Sequence, residues 1–301
     1  MRKGQRFTPA RLSAWEKRGR GTGFGSHYLP WHQVTRGDPG SRGRSHLINW
    51  RLGRLHHLLS DHELLIMGFS AMVPGVVDIR EQFPLSLSPH PQELSLVKGE
   101  EFGRIAPGTL ELADTIGVRH PRLGAVKNED WWVMSTDLLL TITQSSSTQL
   151  VAVSIKYDNE LASVRTRELL QLEREYWRCQ GVPWLLITPS TYAIEVGFTV
   201  RHALPWALVP ETFPNPVLRH VAELGAKLHG GTFDRALLSI SMEFNCTRSD
   251  AQFLLWGAVW AGVLPVDLSM RMDPNAIVRV IPSPDFWLMN PVASRRSAWP
   301  T

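Results

Sequence analysis

The pattern of apolar and polar residues predicts a β-hairpin near the middle of the chain. Residues 131–143 form a β-branched and aliphatic run. Residues 149–156 alternate between two faces, one with Leu150, Ala152, Ser154 and Lys156 and the other with Val151, Val153 and Ile155. Successive side chains of a strand point to opposite faces, so this alternation is typical of a strand. The polar residues between the two runs predict a tight antiparallel connection.

Helices are predicted on both sides of this hairpin. Ser60, followed three residues later by Glu63, is a capping-box pattern and predicts a helix over residues 60–72. Periodic apolar positions predict another helix over 164–180, which Gly181 and Pro183 end. Shorter patterns predict strands at 76–79 and 184–188 and a helix at 110–116. Strands flanked by helices are typical of an α/β sandwich with a mixed sheet.

The last third of the chain has a mainly helical pattern. Proline-rich residues 205–216 precede it. The pattern then predicts helices over 217–228, 232–244 and 249–262, followed by strands at 264–268 and 277–281. Three helices and a β-hairpin is the order of a winged helix, a motif that binds either DNA or proteins.

We therefore expect three parts: a basic N-terminal arm at 1–52, an α/β domain at 53–190 and a winged-helix-like domain at 205–301. Positive charge is concentrated in the arm. Of the 32 Lys and Arg residues, twelve lie in the first 60 positions, where only Glu16 and Asp38 oppose them, although the whole chain carries only +4. Such an arm favours a polyanionic partner. A basic tail that is merely solvated is the alternative.

The composition excludes several other classes. Cys179 and Cys246 match no metal-binding spacing and no disulfide framework. No apolar run reaches the roughly 18 residues of a membrane span, and no signal-peptide pattern follows the basic start. We therefore expect a cytoplasmic protein with no membrane partner.

The candidate chemistry lies in one set of acidic and basic residues. Glu63 begins a predicted helix, Asp137 lies early in one predicted strand, and Lys156 ends the next. Ser154 and Lys156 share a strand face because they are two residues apart. Carboxylates that bind Mg²⁺ beside a lysine are typical of nucleases. Each residue also has a plain structural explanation: Glu63 closes a capping box, Asp137 caps a turn and Lys156 is solvated.

Several longer motifs carry a family resemblance. They occur in one order across residues 19–184: Gly-Arg-Gly from Gly19, Tyr-Leu-Pro-Trp from Tyr28, Gly-Arg-Ser-His from Gly43, Leu-His-His-Leu-Leu-Ser-Asp from Leu55, Asp-Ile-Arg-Glu-Gln-Phe-Pro-Leu from Asp78, Val-Met-Ser-Thr-Asp from Val133, Arg165-Thr166, Leu-Glu-Arg from Leu172, Tyr176-Trp177 and Pro183-Trp184. Together they resemble the TnsA endonuclease subunits of heteromeric cut-and-paste bacterial transposases.

The resemblance implies a restriction-endonuclease-like catalytic domain that cuts the 5′ strand at each transposon end. It also implies double-stranded DNA, a TnsB-like transposase and a TnsC-like AAA+ regulator as partners, with the C-terminal domain contacting the regulator. By motif, Glu63 and Asp137 correspond to acidic metal ligands, the carbonyl of Ile155 to a backbone ligand and Lys156 to the catalytic lysine. Mg²⁺ is the implied cofactor, and Mn²⁺ is expected to substitute for it.

Three further positions are less direct. Glu173 and Glu81 match acids of the family pattern, either as catalytic groups or as buried ion pairs. Ser154 departs from the glutamine that is usual two residues before the lysine, and its short hydroxyl would act through a bridging water. The basic residues expected to contact DNA are Arg18, Arg20, Arg42 and Arg44.

Two other hypotheses remain open. A degenerate nuclease fold could bridge the transposase, DNA and the AAA+ regulator without cutting, and Ser154 is the feature that favours this. A free-standing restriction-like nuclease is disfavoured, because no specificity domain is recognisable beyond the small C-terminal module.

Overall fold

All strands in the described part of the chain lie before residue 188, and the last third is helical. The computed structural model describes residues 7–36, 38, 43–100, 103–123, 131–209 and 213–300. Its strands are β1 (His46–Asn49), β2 (Leu55–Leu58), β3 (Val76–Pro84), β4 (His90–Pro91), β5 (Ile105–Ala106), β6 (Ser135–Gln144), β7 (Ser147–Ile155) and β8 (Trp184–Ile187). Its helices are α1 (Pro9–Lys17), α2 (Asp61–Ala71), α3 (Glu93–Lys98), α4 (Thr109–Thr115), α5 (Val164–Cys179), α6 (Ile194–Ala207), α7 (Asn215–Glu223), α8 (Gly225–Leu228), α9 (Phe233–Glu243), α10 (Arg248–Trp260) and α11 (Ser283–Met289).

A four-stranded mixed sheet in the order β3, β6, β7, β8 forms the centre of the molecule. β3 and β7 both run antiparallel to β6, whereas β8 runs parallel to β7. The two residues between Gln144 and Ser147 connect β6 and β7, so the predicted hairpin is confirmed. β3 is longer than predicted and continues through Gln82 and Phe83 to Pro84. The small ladders β1–β2 and β4–β5 lie outside this sheet.

Helices cover both faces of the sheet, as the α/β pattern predicts. Leu138, Leu140 and Val153 point into a core shared with α2 and α6. Their neighbours Leu139 and Ala152 point into a second core with α5. This period-two alternation buries both faces, and it fixes the register because a one-residue slip would exchange the two cores.

Residues 7–36 of the N-terminal segment are folded against the sheet, so the expectation of an extended arm is wrong for these residues. α1 begins at an N-cap, Thr8, and buries Trp15 against Trp31 in a small core of its own. Tyr28 is buried and donates a hydrogen bond to the carbonyl of Glu81 at 3.0 Å. The glycine and arginine content of this segment conceals its aromatic anchors, which bury enough apolar surface to hold it.

The expected boundary after residue 190 is occupied by a buried helix. α6 packs directly on α2, where a Cβ on Gly68 would lie 2.5 Å from Leu204 Cδ2 and 3.2 Å from Val200 Cγ1. The glycine therefore permits the two helices to approach closely. Pro205 lies in the last turn of α6, where it removes one backbone hydrogen bond, and the helix ends two residues later at Ala207. One continuous apolar core consequently extends from Trp50 to Val292.

The C-terminal helices occur where predicted, but the two predicted strands do not. Only a single bridge, Val266 with Val280, remains of the expected hairpin. Pro265 has no N–H to extend the ladder, and Asp267 accepts a hydrogen bond from Ser269 N at 2.9 Å to begin a turn. The winged-helix prediction is therefore unsupported, and α11 is an additional helix.

The C-terminal region is held to the α/β part of the chain by hydrogen bonds as well as by the core. Trp260 Nε1 donates to the carbonyl of Gly68 at 3.2 Å, and Asn290 Nδ2 donates to that of Phe69 at 2.8 Å. At the edge of the sheet, Ala298 N donates to Leu186 O at 2.8 Å and Leu186 N donates to Ser297 Oγ at 3.0 Å.

No helix in the described ranges is long and apolar enough to cross a membrane.

Candidate active site

Asp137 and Lys156 meet at the ends of the two central strands. Lys156 Nζ donates to Asp137 Oδ2 at 3.2 Å and to the carbonyl oxygen of Ile155 at 2.8 Å. The backbone N–H of Ile155 donates to the same Asp137 oxygen at 2.6 Å. The antiparallel pairing of β6 and β7 thus places a carboxylate, an ammonium group and a backbone carbonyl within hydrogen-bonding distance of one another.

Glu63 lies in the first turn of α2, where three donors hold its carboxylate. Leu59 N and Gln82 Nε2 donate to Oε2 at 2.8 and 2.9 Å, and Ser60 Oγ donates to Oε1 at 3.3 Å. The N-cap prediction is confirmed, because Ser60 Oγ accepts from Glu63 N at 3.0 Å. The reciprocal bond comes from Leu59 rather than Ser60, so the capping arrangement is shifted by one residue. Negative charge at this helix N-terminus is favourable.

One cleft of about 480 Å³ exposes these groups together. Its wall includes Glu63 from α2 and Asp137, Ile155 and Lys156 from the sheet. Asp137 and Lys156 are partly accessible, with 16% and 28% of their side chains exposed. The groups are therefore buried enough for strong electrostatic interaction and open enough to meet a substrate.

The cleft shifts the ionisation of its residues. Burial, together with the nearby negative charge of Asp137, raises the pKa of Glu63 to about 7. Burial alone would lower the pKa of Lys156, but Asp137 and Glu173 outweigh that effect and raise it. Lys156 is therefore positively charged at neutral pH, whereas Glu63 can gain or lose a proton there.

Ser154 lies beneath the cleft rather than in its wall. Its fully buried hydroxyl donates to Glu173 Oε1 at 2.5 Å and accepts from Trp184 Nε1 at 2.8 Å. Glu173 also accepts from Thr136 Oγ1 at 2.7 Å, and its burial and Asp137 raise its pKa to about 7. Because these partners occupy the hydroxyl, the expectation that Ser154 acts through a water in the cleft is not supported. Ser154 and Glu173 form a buried layer under Asp137.

The sequence left two roles open for Glu81, a catalytic group or a member of a buried ion pair. In the structure it forms a buried ion pair with Arg54. Its carboxylate is fully buried and accepts from Arg54 Nη1 at 2.9 Å, from His57 N at 2.9 Å and from His56 Nδ1 at 3.0 Å. Burial alone would raise the pKa of Glu81, but His56 and Arg54 outweigh it and lower the pKa to about 2. These contacts anchor β2 to β3 and lie outside the cleft wall.

The four arginines predicted to contact DNA have different surroundings. Arg18 is exposed, and Arg44 lines the cleft beside Glu63. Arg20 is buried, pairs with Asp38 at 2.8 Å and lies over the Trp15 ring, so its assignment as a DNA contact is wrong for this conformation. Arg42 lies outside the described residues.

Two residues near the site were not singled out from the sequence. Gln82 orients Glu63, and its backbone has a φ of 52°, which is unusual for a residue other than glycine. His62 lines the cleft although 95% of it is buried, with its ring 5.1 Å from that of Tyr157. Gln82 belongs to the quoted Glu-Gln-Phe-Pro motif, which was the available signal. His62 follows Asp61 in the capping segment, and only the fold places it in the cleft.

The donor chemistry of the cleft fits the implied Mg²⁺. Asp137 Oδ2 and the Ile155 carbonyl both lie within hydrogen-bonding reach of a single ammonium group, so they converge closely enough to share one cation. Glu63 adds a third oxygen donor to the same cleft. Within the described ranges no three His, Cys, Asp or Glu side chains converge as a metal site. A site with only two or three protein ligands is compatible with Mg²⁺, because this ion usually keeps several of its waters.

Comparisons with known proteins show which sequences this chain is similar to. Residues 74–189 match the model of the family described as TnsA-like endonuclease N terminal. The chain is 33% identical over 201 residues to the Transposon Tn7 transposition protein TnsA of Escherichia coli, an alignment covering 66% of this chain and 63% of that protein. The chain thus spans less than two thirds of this relative's length. Through residues 74–189, which include Asp137 and Lys156, the chain belongs to the TnsA-like endonuclease family.

Proposed function

We propose that this chain is a Mg²⁺-dependent DNA endonuclease subunit of a heteromeric transposase. In this proposal it cuts the 5′ strand at transposon ends, together with a TnsB-like transposase and a TnsC-like AAA+ regulator. The observation that carries it is the convergence of Asp137, Ile155 and Lys156 in a cleft that Glu63 also lines. Membership of residues 74–189 in an endonuclease family supports the reaction class.

Lys156 is suited to stabilise negative charge on a phosphate. An ammonium group has three N–H donors, of which two are directed at Asp137 and the Ile155 carbonyl. The third remains for a phosphate oxygen or for the attacking water. Two fixed acceptors reduce the motion of a long side chain, so the positive charge is held in place before the reaction begins.

Glu63 and Asp137 are suited to hold a divalent cation. When bound, Mg²⁺ would polarise the scissile phosphate and increase the acidity of a water. Glu63 is oriented by Gln82 and Leu59, and Asp137 by Ile155 N, so neither carboxylate needs to reorganise. Attack in line with the leaving oxygen would produce a 3′-hydroxyl and a 5′-phosphate.

The test is strand-specific cleavage of labelled DNA that carries a transposon end. The full chain is assayed with and without the TnsB-like partner, in Mg²⁺ and in Mn²⁺. We expect 5′-strand cleavage that requires the partner and either metal. Asp137→Asn and Lys156→Ala should each reduce cleavage by about a hundredfold or more, because each removes charge at the reacting phosphate.

Matched controls separate chemistry from folding. Asp234→Asn changes an exposed aspartate of α9, and Lys98→Ala changes an exposed lysine of α3. Both should cleave at the wild-type rate, and all four variants should retain the wild-type far-UV circular dichroism spectrum. Wild-type cleavage by the Asp137→Asn protein would overturn the proposal.

A second candidate function is a bridging subunit that binds the transposase, DNA and the regulator without cutting. The observation that favours it is Ser154, whose hydroxyl is occupied by Glu173 and Trp184 and supplies no ligand to the cleft. This candidate predicts normal assembly with the partner but no 5′-strand product from the wild-type chain. It also predicts that Asp137→Asn leaves assembly and 3′-strand joining unchanged.

A further inference from the structure

A second and larger cleft, of about 920 Å³, lies beside α4 and the start of α5. Its wall includes Asp114 from α4, Arg119 and Arg122 from the following loop, Trp131, and Arg165 from α5. Among the described residues, the two clefts have no lining residue in common. Among the described lining residues, three arginines face one aspartate, and Arg165 is paired with Glu168, so the described wall carries a positive charge.

Two of these arginines are available to a ligand. Arg119 and Arg122 are exposed, and neither forms an ion pair with any residue that the structure describes. The Arg122 guanidinium lies 4.4 Å from the centre of the Trp131 ring. Stacking uses the flat face of a guanidinium and leaves its N–H groups at the edge, in the fork that matches phosphate.

The third arginine fastens the loop that carries the other two. Arg165 donates from Nη2 to the carbonyl of Arg119 at 2.5 Å and from Nη1 to Glu168 at 2.8 Å. His120, between Arg119 and the stacked Arg122, contacts Thr109 Oγ1 through Nε2 at 3.0 Å. A positive surface that is ordered in advance loses less conformational entropy when it binds.

The cleft lies within reach of a DNA duplex held at the active site. Eight residues lie between Lys156 and Arg165, and five of them form the 3-10 turn Asp158–Ala162. The two Cα atoms are therefore no more than about 25 Å apart. B-form DNA spans that distance in about seven base pairs at roughly 3.4 Å each.

We propose that this cleft binds the sugar–phosphate backbone of duplex DNA within about seven base pairs of the phosphate that is cut. The proposal rests on the proposed function for its substrate and adds the surface that binds it. Arg119 and Arg122 contact phosphates, and Arg165 positions the loop. Contacts of this kind fix the register of the protein on DNA without reading its sequence.

The test measures binding of the full chain to a labelled duplex by fluorescence anisotropy, over a range of NaCl concentrations and with EDTA to prevent cleavage. The double variant Arg119→Gln with Arg122→Gln should lower the affinity about tenfold and reduce the slope of log affinity against log salt by about 1.8, because each phosphate contact contributes about 0.9. The charge-matched control is Arg219→Gln with Arg235→Gln, two exposed arginines of α7 and α9. It should keep the wild-type slope.

Each outcome decides the inference. A wild-type slope in the Arg119 and Arg122 double variant would overturn it, as would no binding of the wild-type chain at about 50 mM NaCl. Exposed Arg119→Gln alone serves as the second variant if the double variant loses its fold, and it should reduce the slope by about 0.9. Reduced binding in these variants together with unchanged cleavage by Asp137→Asn would sustain the DNA surface while overturning the proposed function.

Discussion

Gln82 Nε2 donates a hydrogen bond to Glu63 Oε2 at 2.9 Å from a backbone whose φ is 52°. A non-glycine residue in that region costs about 1–3 kcal/mol and persists only where the surrounding structure determines it. The carbonyl of Gln82 accepts from Trp31 N at 3.2 Å, so the folded N-terminal segment helps to hold this conformation. The strained residue thereby connects the N-terminal segment to the acidic group at the head of α2.

Gln82→Leu tests this connection. Leucine is similar in size but cannot donate to Glu63, so the carboxylate loses one of its orienting bonds. We expect cleavage to fall by about 10–100-fold, the usual effect of losing a group that orients a metal ligand, while Mg²⁺ affinity falls in parallel. Cleavage rates and Mg²⁺ titrations by calorimetry measure both quantities.

The matched control is Gln144→Leu. Gln144 is the last residue of β6, and its exposed amide donates to Pro74 O at 3.1 Å. It should leave cleavage unchanged. Equal effects of the two substitutions would show that Gln82 has no specific role at Glu63.

Ser154 provides a second prediction, about stability. Ser154→Gln would introduce the glutamine that the family resemblance implies at this position, but Ser154 is fully buried with Glu173 and Trp184 at hydrogen-bonding distance, so a longer side chain must displace them. We expect a destabilisation of about 1–3 kcal/mol from overpacking rather than a gain in activity. Ser154→Ala should destabilise by a similar amount, because it leaves buried polar groups unpaired.

Urea denaturation measures these free energies of unfolding. Ser70→Ala is the control, because Ser70 is equally buried and its hydroxyl has no hydrogen-bond partner among the described residues. It should be close to neutral. An increase in cleavage by Ser154→Gln at unchanged stability would contradict the buried role of this residue.

The pH dependence of stability gives a third prediction. The pKa values of Glu63 and Glu173 rise from 4.5 to about 7 because burial opposes their ionisation and Asp137 repels it. A carboxyl whose pKa is higher in the folded than in the unfolded state makes its full contribution to stability at a pH below its unfolded pKa. That contribution is lost as the pH rises through the folded-state pKa. Without metal, these two carboxyls should therefore lower the thermal midpoint as the pH rises from 5 to 8. His32 and His62, whose pKa values burial lowers from 6.5 to about 4, act in the opposite direction below pH 6.5.

Mg²⁺ should oppose the loss of stability that accompanies ionisation of Glu63, because it binds the ionised carboxylate. The midpoint gained on adding Mg²⁺ should be larger at pH 8 than at pH 6. Glu173→Gln should remove the part of the metal-free decrease that Glu173 contributes, so the difference in midpoint between wild type and variant should change with pH, whereas exposed Glu223→Gln should leave the profile unchanged. A difference in midpoint between wild type and Glu173→Gln that stays constant over this pH range would contradict the raised pKa of Glu173.

Glu81→Gln distinguishes an ion-pairing role from a catalytic one. It removes a buried charge that Arg54 and His56 balance, so we expect a loss of about 3–5 kcal/mol in unfolding free energy. Folded protein at low temperature should still cleave at a rate near that of the wild type. A stably folded Glu81→Gln protein without cleavage activity would indicate a catalytic role for Glu81.

Sequence patterns predicted the parts of the fold that local periodicity determines. The β6–β7 hairpin and α5 have a clear apolar periodicity, and α2 has a clear N-cap signal. These elements contain or adjoin Glu63, Asp137 and Lys156. The convergence of these groups follows from pairing two adjacent strands, so the candidate site could largely be proposed from sequence.

The remaining features depend on distant contacts. α6 was missed because Pro205 and its neighbours suggest a linker, whereas packing against Gly68 keeps the helix. The N-terminal segment was taken for an arm because charge conceals the burial of Trp15 and Trp31. Arg119 and Arg122 carried no signal, since only the fold brings them beside Arg165.

The bonds between the last residues and β8 have a consequence for aggregation. Ser297 and Ala298 occupy hydrogen-bonding groups of Leu186 on the outer edge of the sheet. An uncovered edge strand is a template on which a second molecule can add its own strand. We therefore expect a protein shortened before Ser297 to keep Asp137 and Lys156 in place but to expose that edge and to self-associate more readily.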